Sequence, residues 1–446
     1  MAPPLNFLYW AALGILLVLY GSVVLRELAG RGEIVPFLFL GAAVALVLLG
    51  VISPQAAQAA VNLPILAFLF SMFVFAASLD RAGAMMHLAN WLASKAGKPE
   101  DLVFLLFVGF GLMSMVLVND ALAVLMVPLL LHLARRLHLR PLPLLLTLAY
   151  GVTVGSALTP IGNPQNLLIA LYVPIGEPIA VYLRYLFLPV IGSLLLGGLL
   201  LRRWFRPILV EPGATFDRAQ VPVVPLFPRG RWRQRLYHHP SLVVFPLTMC
   251  AVGAVSVGRS LGYVGFQGFG IDVVVASGAA LLLLLKPGRV SVLSHVDWST
   301  LLLFVGLFIV MAAEVSAGVV ASMTGQLPLA SRPTSGGISA TGVGVIMLAS
   351  VIGSQIFSNV PWVALSLPAM VGLGYSSATP IPWMALAAGS TLAGNITLLG
   401  AASNLIIVQQ ANKAGVQVRL LEFAKYGAPL AAISLLVTFA CLALHL

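Results

Sequence analysis

Apolar residues come in long runs along this chain, without the strict alternation of a half-buried β-strand. A helix needs about 20 such residues to cross the hydrocarbon core of a bilayer. Helices satisfy their own backbone hydrogen bonds in lipid, so the pattern predicts an all-α polytopic membrane protein. Eight runs approach spanning length: 7–25, 34–52, 62–80, 180–201, 240–258, 267–285, 299–319 and 424–445.

Four longer stretches carry polar or helix-breaking residues near their middle. The first and third have 37 residues each, too few for two spans of about 20 plus a turn, and predict re-entrant hairpins. The second and fourth predict broken helices. With the other runs this gives about ten spanning helices. The stretches are 101–137 with LVNDALAVLMVP, 144–172 with SALTPIGNPQNLL, 338–374 with IFSNVPWVALSLP and 382–412 with LAGNITLLGAASNLI.

The four stretches form two pairs. Asn119 corresponds to Asn359 at an offset of 240, and Asn166 corresponds to Asn404 at an offset of 238. Recurrence in one order at nearly one offset indicates an internal duplication around a shared site. The predicted division is a first repeat at 1–201, a basic cytoplasmic linker at 202–238 and a second repeat at 239–446.

The amino-acid composition further restricts the class of protein. Of 446 residues, 60% are hydrophobic and only 8% are charged, and the mean hydropathy is +1.04. Soluble domains carry about 25% charged residues. These values exclude a soluble enzyme, a disordered chain and a nucleic-acid binder. The two cysteines, Cys250 and Cys441, form neither a disulfide framework nor a CxxC metal motif.

Basic residues predict the orientation. If each repeat crosses five times, the repeats are inverted, and a cytoplasmic linker leaves both termini outside the inner (plasma) membrane. One face then receives 21 of the 24 Lys and Arg residues. The opposite face receives Arg184, Arg259 and Arg332. This asymmetry follows the positive-inside rule.

Asp120 is an ionisable residue in the middle of an apolar stretch, where a charge is unfavourable and usually functional. It could titrate in proton coupling, or it could cap the helix that follows the first hairpin tip. Val360 occupies the equivalent position in the second repeat, so the two tips differ chemically. Glu314 lies within another apolar helix and could act as a relay carboxylate, or it could snorkel or pair.

Polar side chains at the four breaks are the predicted substrate-binding residues. Unwound helices expose backbone groups at mid-membrane, where amides and hydroxyls can meet a substrate. The alternative is that these side chains only satisfy the kinked backbone. The residues are Asn119, Thr159, Asn163, Gln165, Asn166, Ser358, Asn359, Asn395, Thr397, Ser403 and Asn404.

Motifs for ATP hydrolysis and cofactor binding are absent from the sequence. No GxxxxGK[ST] segment occurs, so an ion gradient is the expected driving force. We expect no cofactor, no metal site and no catalytic residue.

The Asn-Asp tip, the Gly-Asn-Pro-x-Asn break and their second-repeat copies resemble the ion transporter superfamily. It includes arsenite permeases of the ArsB type, NhaD-type sodium/proton antiporters and divalent-anion/sodium symporters. The resemblance covers about residues 5–446. It implies two inverted repeats, a homodimer, and a transport domain that moves as an elevator against a scaffold.

Within that superfamily, an Asn-Asp first tip is similar to the arsenite permeases, whereas the symporters carry Ser-Asn-Thr at both tips. The expected function is therefore arsenite or antimonite efflux in exchange for protons, with Asp120 as the coupling residue. A sodium- or proton-coupled permease for an inorganic or dicarboxylate anion is the alternative. Expected partners are the substrate, protons, membrane lipid and a second copy of the chain. A cytoplasmic ATPase on the basic linker is left open.

Overall fold

Helices account for the regular secondary structure of the described chain, and no β-strand occurs within it. A computed structural model describes residues 7–28, 34–217, 221, 226, 232–266, 269–285, 289–324 and 338–446. The predicted outer end at 1–6, Arg332 and much of the centre of the predicted linker lie outside these residues. The prediction of an all-α membrane protein is confirmed.

Ten helices precede the linker. Proline occupies one of the first two helical positions in several of them, where its missing N–H removes no helical hydrogen bond. They are α1 Phe7–Leu28, α2 Val35–Leu48, α3 Pro54–Ala60, α4 Leu63–Arg81, α5 Ala84–Lys95, α6 Pro99–Ser114, α7 Asn119–Arg136, α8 Pro141–Ser156, α9 Pro164–Tyr172 and α10 Pro178–Phe205.

Eleven helices follow within the described residues. A short 3₁₀ turn at Leu398–Gly400 interrupts them. They are α11 Trp232–His238, α12 Ser241–Ser260, α13 Ile271–Leu285, α14 Arg289–Leu293, α15 Trp298–Ser316, α16 Val319–Thr324, α17 Ala340–Phe357, α18 Asn359–Gly372, α19 Pro380–Ala393, α20 Ala402–Lys413 and α21 Leu420–Ala443.

Six helical segments in the described chain are long and apolar enough to cross a membrane: Leu63–Arg81, Pro178–Ile208, Ser241–Ser260, Trp298–Ser316, Ala340–Phe357 and Leu420–Ala443. Further apolar helices are shorter; α2, for example, has 14 residues. Since a full span takes about 20 residues, the number of about ten spans stays a prediction.

The duplication is visible in how equivalent helices begin and end. Asn62 caps the N-terminus of α4, and Asp297, offset by 235, caps α15 through the same contact to the amide three residues later. Each helix is followed by a left-handed glycine, Gly83 with φ 73° and Gly318 with φ 79°. A side chain at either glycine would strain the backbone.

The two halves interlock through equivalent contacts. In each half the second helix packs on the other half, α2 against α15 and α13 against α4. The inner elements do the same, because α7 packs against α20 and α18 packs against α9. Neither half therefore completes its own packing.

Helices α8 and α19 lie at the centre, with almost every residue buried. Helix α6 approaches α8 so closely that a Cβ at Gly155 would lie 2.0 Å from the carbonyl oxygen of Gly111. A Cβ at Gly151 would lie 2.8 Å from the carbonyl oxygen of Phe107. These backbone contacts join the first hairpin to the first broken helix.

Candidate functional site

Helix breaks occur within all four polar stretches. The first tip lies between α6 and α7, and Ser358 alone separates α17 from α18. The broken helices unwind at 157–163, between α8 and α9, and at 394–401, between α19 and α20. Four helices thus begin at breaks: α7, α9, α18 and α20.

The first tip is bound to the first break of the same half. The Thr159 hydroxyl donates a hydrogen bond to the carbonyl of Met115 over 2.5 Å. The backbone N–H of Asn119 donates to the carbonyl of Gly162 over 2.9 Å. The start of α7 is therefore fixed to the unwound segment that precedes α9.

Asn163 and Asn166 hold the first break together. The Asn163 side-chain oxygen accepts the N–H of Asn166 at 2.8 Å and caps α9. The Asn166 amide nitrogen donates to the carbonyls of Ser156, Ala157 and Thr159 over 3.1 to 3.3 Å. These amide donors therefore satisfy backbone carbonyls of the kinked helix, which is the alternative role that the sequence left open.

Thr391 of α19 connects this break to the second half. Its hydroxyl accepts hydrogen bonds from the amides of Gln165 at 3.2 Å and Asn163 at 3.4 Å. It also lies 3.4 Å from the side-chain oxygen of Asn166. Three of the predicted substrate-binding residues therefore meet at one buried hydroxyl from the other repeat.

Asp120 lies between the two halves. Its side chain is only 5% exposed, and its carboxylate faces the backbone amide of Ser403 at the start of α20. Asn119 donates from its side chain to the Ser403 hydroxyl over 3.4 Å. A helix N-terminus favours an anion, so α20 can stabilise the ionised form of this acid. The side-chain oxygen of Asn119 accepts the Asp120 backbone N–H at 2.9 Å.

The side-chain donors of the second break are also engaged in hydrogen bonds. The Asn404 amide donates to the carbonyl of Gly394 over 2.6 Å, and the Asn395 amide donates to that of Tyr150 over 3.3 Å. The Thr397 hydroxyl donates to the side-chain oxygen of Gln355 over 2.7 Å.

Acceptor oxygens differ between the halves. Among the described residues, the buried side-chain oxygens of Asn359, Asn395 and Asn404 have no hydrogen-bond partner. In the first half the oxygen of Asn119, the equivalent of Asn359, accepts a backbone N–H, and that of Asn166, the equivalent of Asn404, accepts the Thr391 hydroxyl at 3.4 Å. Buried polar atoms without partners are unfavourable. The second half therefore holds buried hydrogen-bond acceptors that no described group uses.

Ser358 forms the second tip in an unusual conformation. Its φ of 66° with a ψ of 164° lies in a region that is essentially confined to glycine and costs other residues roughly 1–3 kcal/mol. Its equivalent in the first tip, Val118, has a φ of −57°. The two tips differ in backbone as well as in side chains.

A cavity of about 440 Å³ reaches the second tip. Ser358 and Val360 line one part of it, together with Val124, one helical turn beyond Asp120. Its wall also includes His295, Asp297, Thr300, Gln409, Gln410 and Lys413. It therefore connects the second tip with Lys413, which the charge pattern assigns to the cytoplasmic face.

The citrate transporter family, CitMHS, matches residues 34–389, most of the chain. The chain belongs to this family. It is accordingly a secondary transporter and not an enzyme.

Relatives of this CitMHS chain extend over most of its length. The "46 kDa membrane protein" of Mycobacterium leprae is 30% identical over 387 residues, 85% of each chain. The silicon efflux transporter LSI3 of Oryza sativa subsp. japonica is 28% identical and covers 85% of this chain and 87% of its own. The crystal structure of the YdaH transporter of Alcanivorax borkumensis has a TM-score of 0.55 at 15% identity, covering 89% and 87% of the two chains, and supports the fold alone.

Two polar residues of the CitMHS site were missed from the sequence. Thr391 and Gln355 lie inside apolar helices, before the breaks, where single polar residues are common. Thr391 lies within the predicted stretch 382–412, and its spacing of one helical turn from Asn395 is the signal that could have indicated it. No comparable sequence signal indicates Gln355.

Proposed function

We propose that this CitMHS transporter exports arsenite or antimonite in exchange for protons. The observation that carries the proposal is the chemistry of the breaks. They present amides, hydroxyls and the single carboxylate of Asp120, and no Lys or Arg occurs in their sequences. Trivalent arsenic is largely neutral arsenous acid near pH 7. Such a hydroxylated solute needs hydrogen-bond donors and acceptors rather than fixed cations.

The rice relative supports a solute of this kind. It is a silicon efflux transporter, and dissolved silicon near neutral pH is silicic acid, another small neutral hydroxylated molecule. Thiolate capture of arsenic is not required, because Cys250 and Cys441 lie outside the breaks.

Proton coupling would act through Asp120. When ionised, its carboxylate is held at the positive end of α20. Protonation removes that charge and weakens the contact between the halves. We propose that proton exchange at Asp120 alternates with substrate binding at the amides and hydroxyls beside it.

The moving part would comprise α6–α9 and α17–α20. Backbone-close packing joins α6 to α8, and α7 packs against α20, so these elements can move as one body. We propose an elevator-type motion of this body against the remaining helices in a homodimer. Docking of a cytoplasmic ATPase on the basic linker remains an expectation.

Orientation in the inner membrane is a proposal as well. Arg202 pairs with Asp101 at 2.8 Å, and Arg259 pairs with Glu177 at 3.0 Å, so each ion pair joins residues that the charge pattern places on one face. In a cysteine-free background, Arg203→Cys should react with an impermeant maleimide only in everted vesicles. Arg184→Cys should react only in right-side-out vesicles; the reverse pattern would invert the topology.

Arsenite movement in everted vesicles tests the substrate. Vesicles energised by a proton gradient should accumulate arsenite, a protonophore should abolish the accumulation, and sodium should not alter it. Vesicles with Asp120→Asn protein serve as the control. No accumulation under any gradient would reject arsenite as the substrate.

A sodium- or proton-coupled permease for a carboxylate or inorganic anion is the second candidate. Four helix N-termini begin at the breaks, and such ends attract anions without basic side chains. The family description as a citrate transporter favours the same class. Uptake of labelled citrate or sulfate that requires sodium at fixed pH would support this candidate over arsenite efflux.

A further inference from the structure

Glu314 is an acidic residue with no ion-pair partner among the described residues. It lies in α15 near its C-terminal end and has 0% exposure. Neither carboxylate oxygen has a hydrogen-bond partner among the described residues. An ionised carboxylate in such a place lacks both water and counter-charge, which is strongly unfavourable. Such surroundings favour the neutral, protonated form of the side chain.

Among the described residues, the helices around α15 provide no ion-pair partner for Glu314. Helix α15 packs against α1, α2, α3, α4, α16 and α18. The described side chains of α2, α3, α16 and α18 include no ionisable group. Described ionisable groups on α1 and α4 are Tyr9, Tyr20, Asp80 and Arg81. Of these, Tyr20 lies within electrostatic range of Glu314, whereas Arg81 donates to Ser291 before the start of α15.

Tyr20 lies between Glu314 and two aromatic rings of the cavity wall in this chain of contacts. Its ring packs edge-on against Phe357 at 4.7 Å and against Phe39 at 6.0 Å between centroids. Phe39 and Phe357 both line the 440 Å³ cavity that reaches the second tip. The three rings therefore connect the cavity wall with Tyr20, which lies within electrostatic range of Glu314.

Phe357, one of these three aromatic residues, belongs to the second hairpin. Phe357 directly precedes Ser358 with its positive φ and stacks on Trp362 with an interplanar angle of 8°. A displacement of this tip must carry Phe357 with it and part the contact with Tyr20. Water from the cavity would then reach Glu314.

We infer that Glu314 is a second proton-binding site of this transporter, and that the Tyr20–Phe357 contact opens and closes it as the second hairpin moves. The step transfers one proton between the carboxyl oxygen and cavity water, with no other bond changed. The inference rests on the proposed proton coupling, but it places a second titrating group away from Asp120. Its equivalent at an offset of 235 is Leu79, so this site, like Asp120, exists in one half only.

Infrared spectroscopy of the purified protein tests the protonated state without any transport assay. In an Asp120→Asn background, the added Glu314→Gln change should remove the carbonyl band of one protonated carboxylic acid at neutral pH. Gln matches the neutral acid in shape, so the fold should persist. An unchanged band would overturn the inference.

Exchange into heavy water tests whether the Tyr20–Phe357 contact controls access to Glu314. Phe357→Ala should make the Glu314 band shift to its deuterated position at least several-fold faster than in the otherwise unchanged protein. Phe245→Ala is the matched control, since Phe245 packs on Phe75 in a separate aromatic pair. Equal exchange rates in the two variants would reject the role of Phe357.

Proton counting in proteoliposomes tests the coupling. Glu314→Gln should transport solute with one proton fewer per cycle, whereas a merely structural role would leave that ratio unchanged. If wild-type protein moves no arsenite, the proposed substrate fails while the infrared result still decides the protonation of Glu314. If the wild-type protein transports arsenite and Glu314→Gln moves the same number of protons per transported solute, Glu314 is not a second coupling site.

Discussion

Asn119 of the first hairpin donates a hydrogen bond to the Ser403 hydroxyl of the second broken helix, across 284 positions of sequence. The contact sets Asp120, the next residue, against the N-terminus of α20. One buried carboxyl of the first repeat therefore lies beside the N-terminus of a helix of the second. A change of charge at this point acts directly on the contact between the halves.

Neutralising Asp120 should uncouple transport. Asp120→Asn keeps the size of the side chain but cannot exchange a proton, so we expect proton-driven accumulation to fall about tenfold or more, within the usual range of coupling energies. Initial rates in everted vesicles measure it. Asp120→Glu is the control, because it keeps a carboxyl group that can exchange a proton. Full proton-driven accumulation by Asp120→Asn would remove Asp120 from the mechanism.

Thr391 should matter through its hydroxyl. Thr391→Val leaves the amides of Gln165 and Asn163 without this acceptor, and an unsatisfied buried group costs about 1–3 kcal/mol. We expect a lower melting temperature in detergent and a raised KM for the solute. Thr391→Ser keeps the hydroxyl and should restore both values; a serine variant as defective as valine would contradict the hydrogen-bond explanation.

The contact of α6 with α8 should tolerate no side chain. Gly155→Ala places a methyl group against the carbonyl oxygen of Gly111, and overpacking of this kind costs about 1–3 kcal/mol. Thermal unfolding in detergent measures the loss. Gly253→Ala in α12, where no atom lies within 4 Å, is the matched control. Equal stability of the two variants would show that α6 and α8 separate easily.

The ion pair of Arg259 with Glu177 should give a pH-dependent stability difference. Burial raises the pKa of the Glu177 carboxyl, and Arg259 offsets part of that effect. In Arg259→Gln the ionised Glu177 loses its partner, which costs about 1–3 kcal/mol. The deficit relative to wild type should be largest above the pKa of Glu177 and shrink as falling pH protonates it. Glu177→Gln in the same background should remove the pH dependence; a deficit that grows on acidification would contradict this account.

Much of the fold was predictable because hydrophobic length and repeated polar motifs are local signals. The Gly-Asn-Pro segment predicted a break, and Asn163 does begin α9 there as its cap. The contacts between halves were not predictable in this way. The duplication pairs Asn119 with Asn359 by position, yet in space Asn119 contacts Ser403.

The role of the polar residues was also open from sequence alone. Asn163 and Asn166 carry the same amide as Asn359 and Asn404, but the side-chain oxygens of the first pair accept hydrogen bonds, whereas those of the second pair have no partner among the described residues. Only packing distinguishes them. Substrate, coupling ion and membrane orientation stay predictions, because composition and spacing constrain the class of site and not its occupant.

The contacts of α7 with α20 and of α9 with α18 join helices of different halves. They can therefore form only after the second half has been synthesised. A nascent chain that has inserted its first half holds Asn119 and Asp120 in the membrane before their partner at Ser403 has been translated. Until then these polar groups need water, lipid headgroups or an insertion factor as temporary neighbours. Maturation of the binding site is therefore a late event, and a chain interrupted before α20 would expose its most polar residues to quality-control proteases.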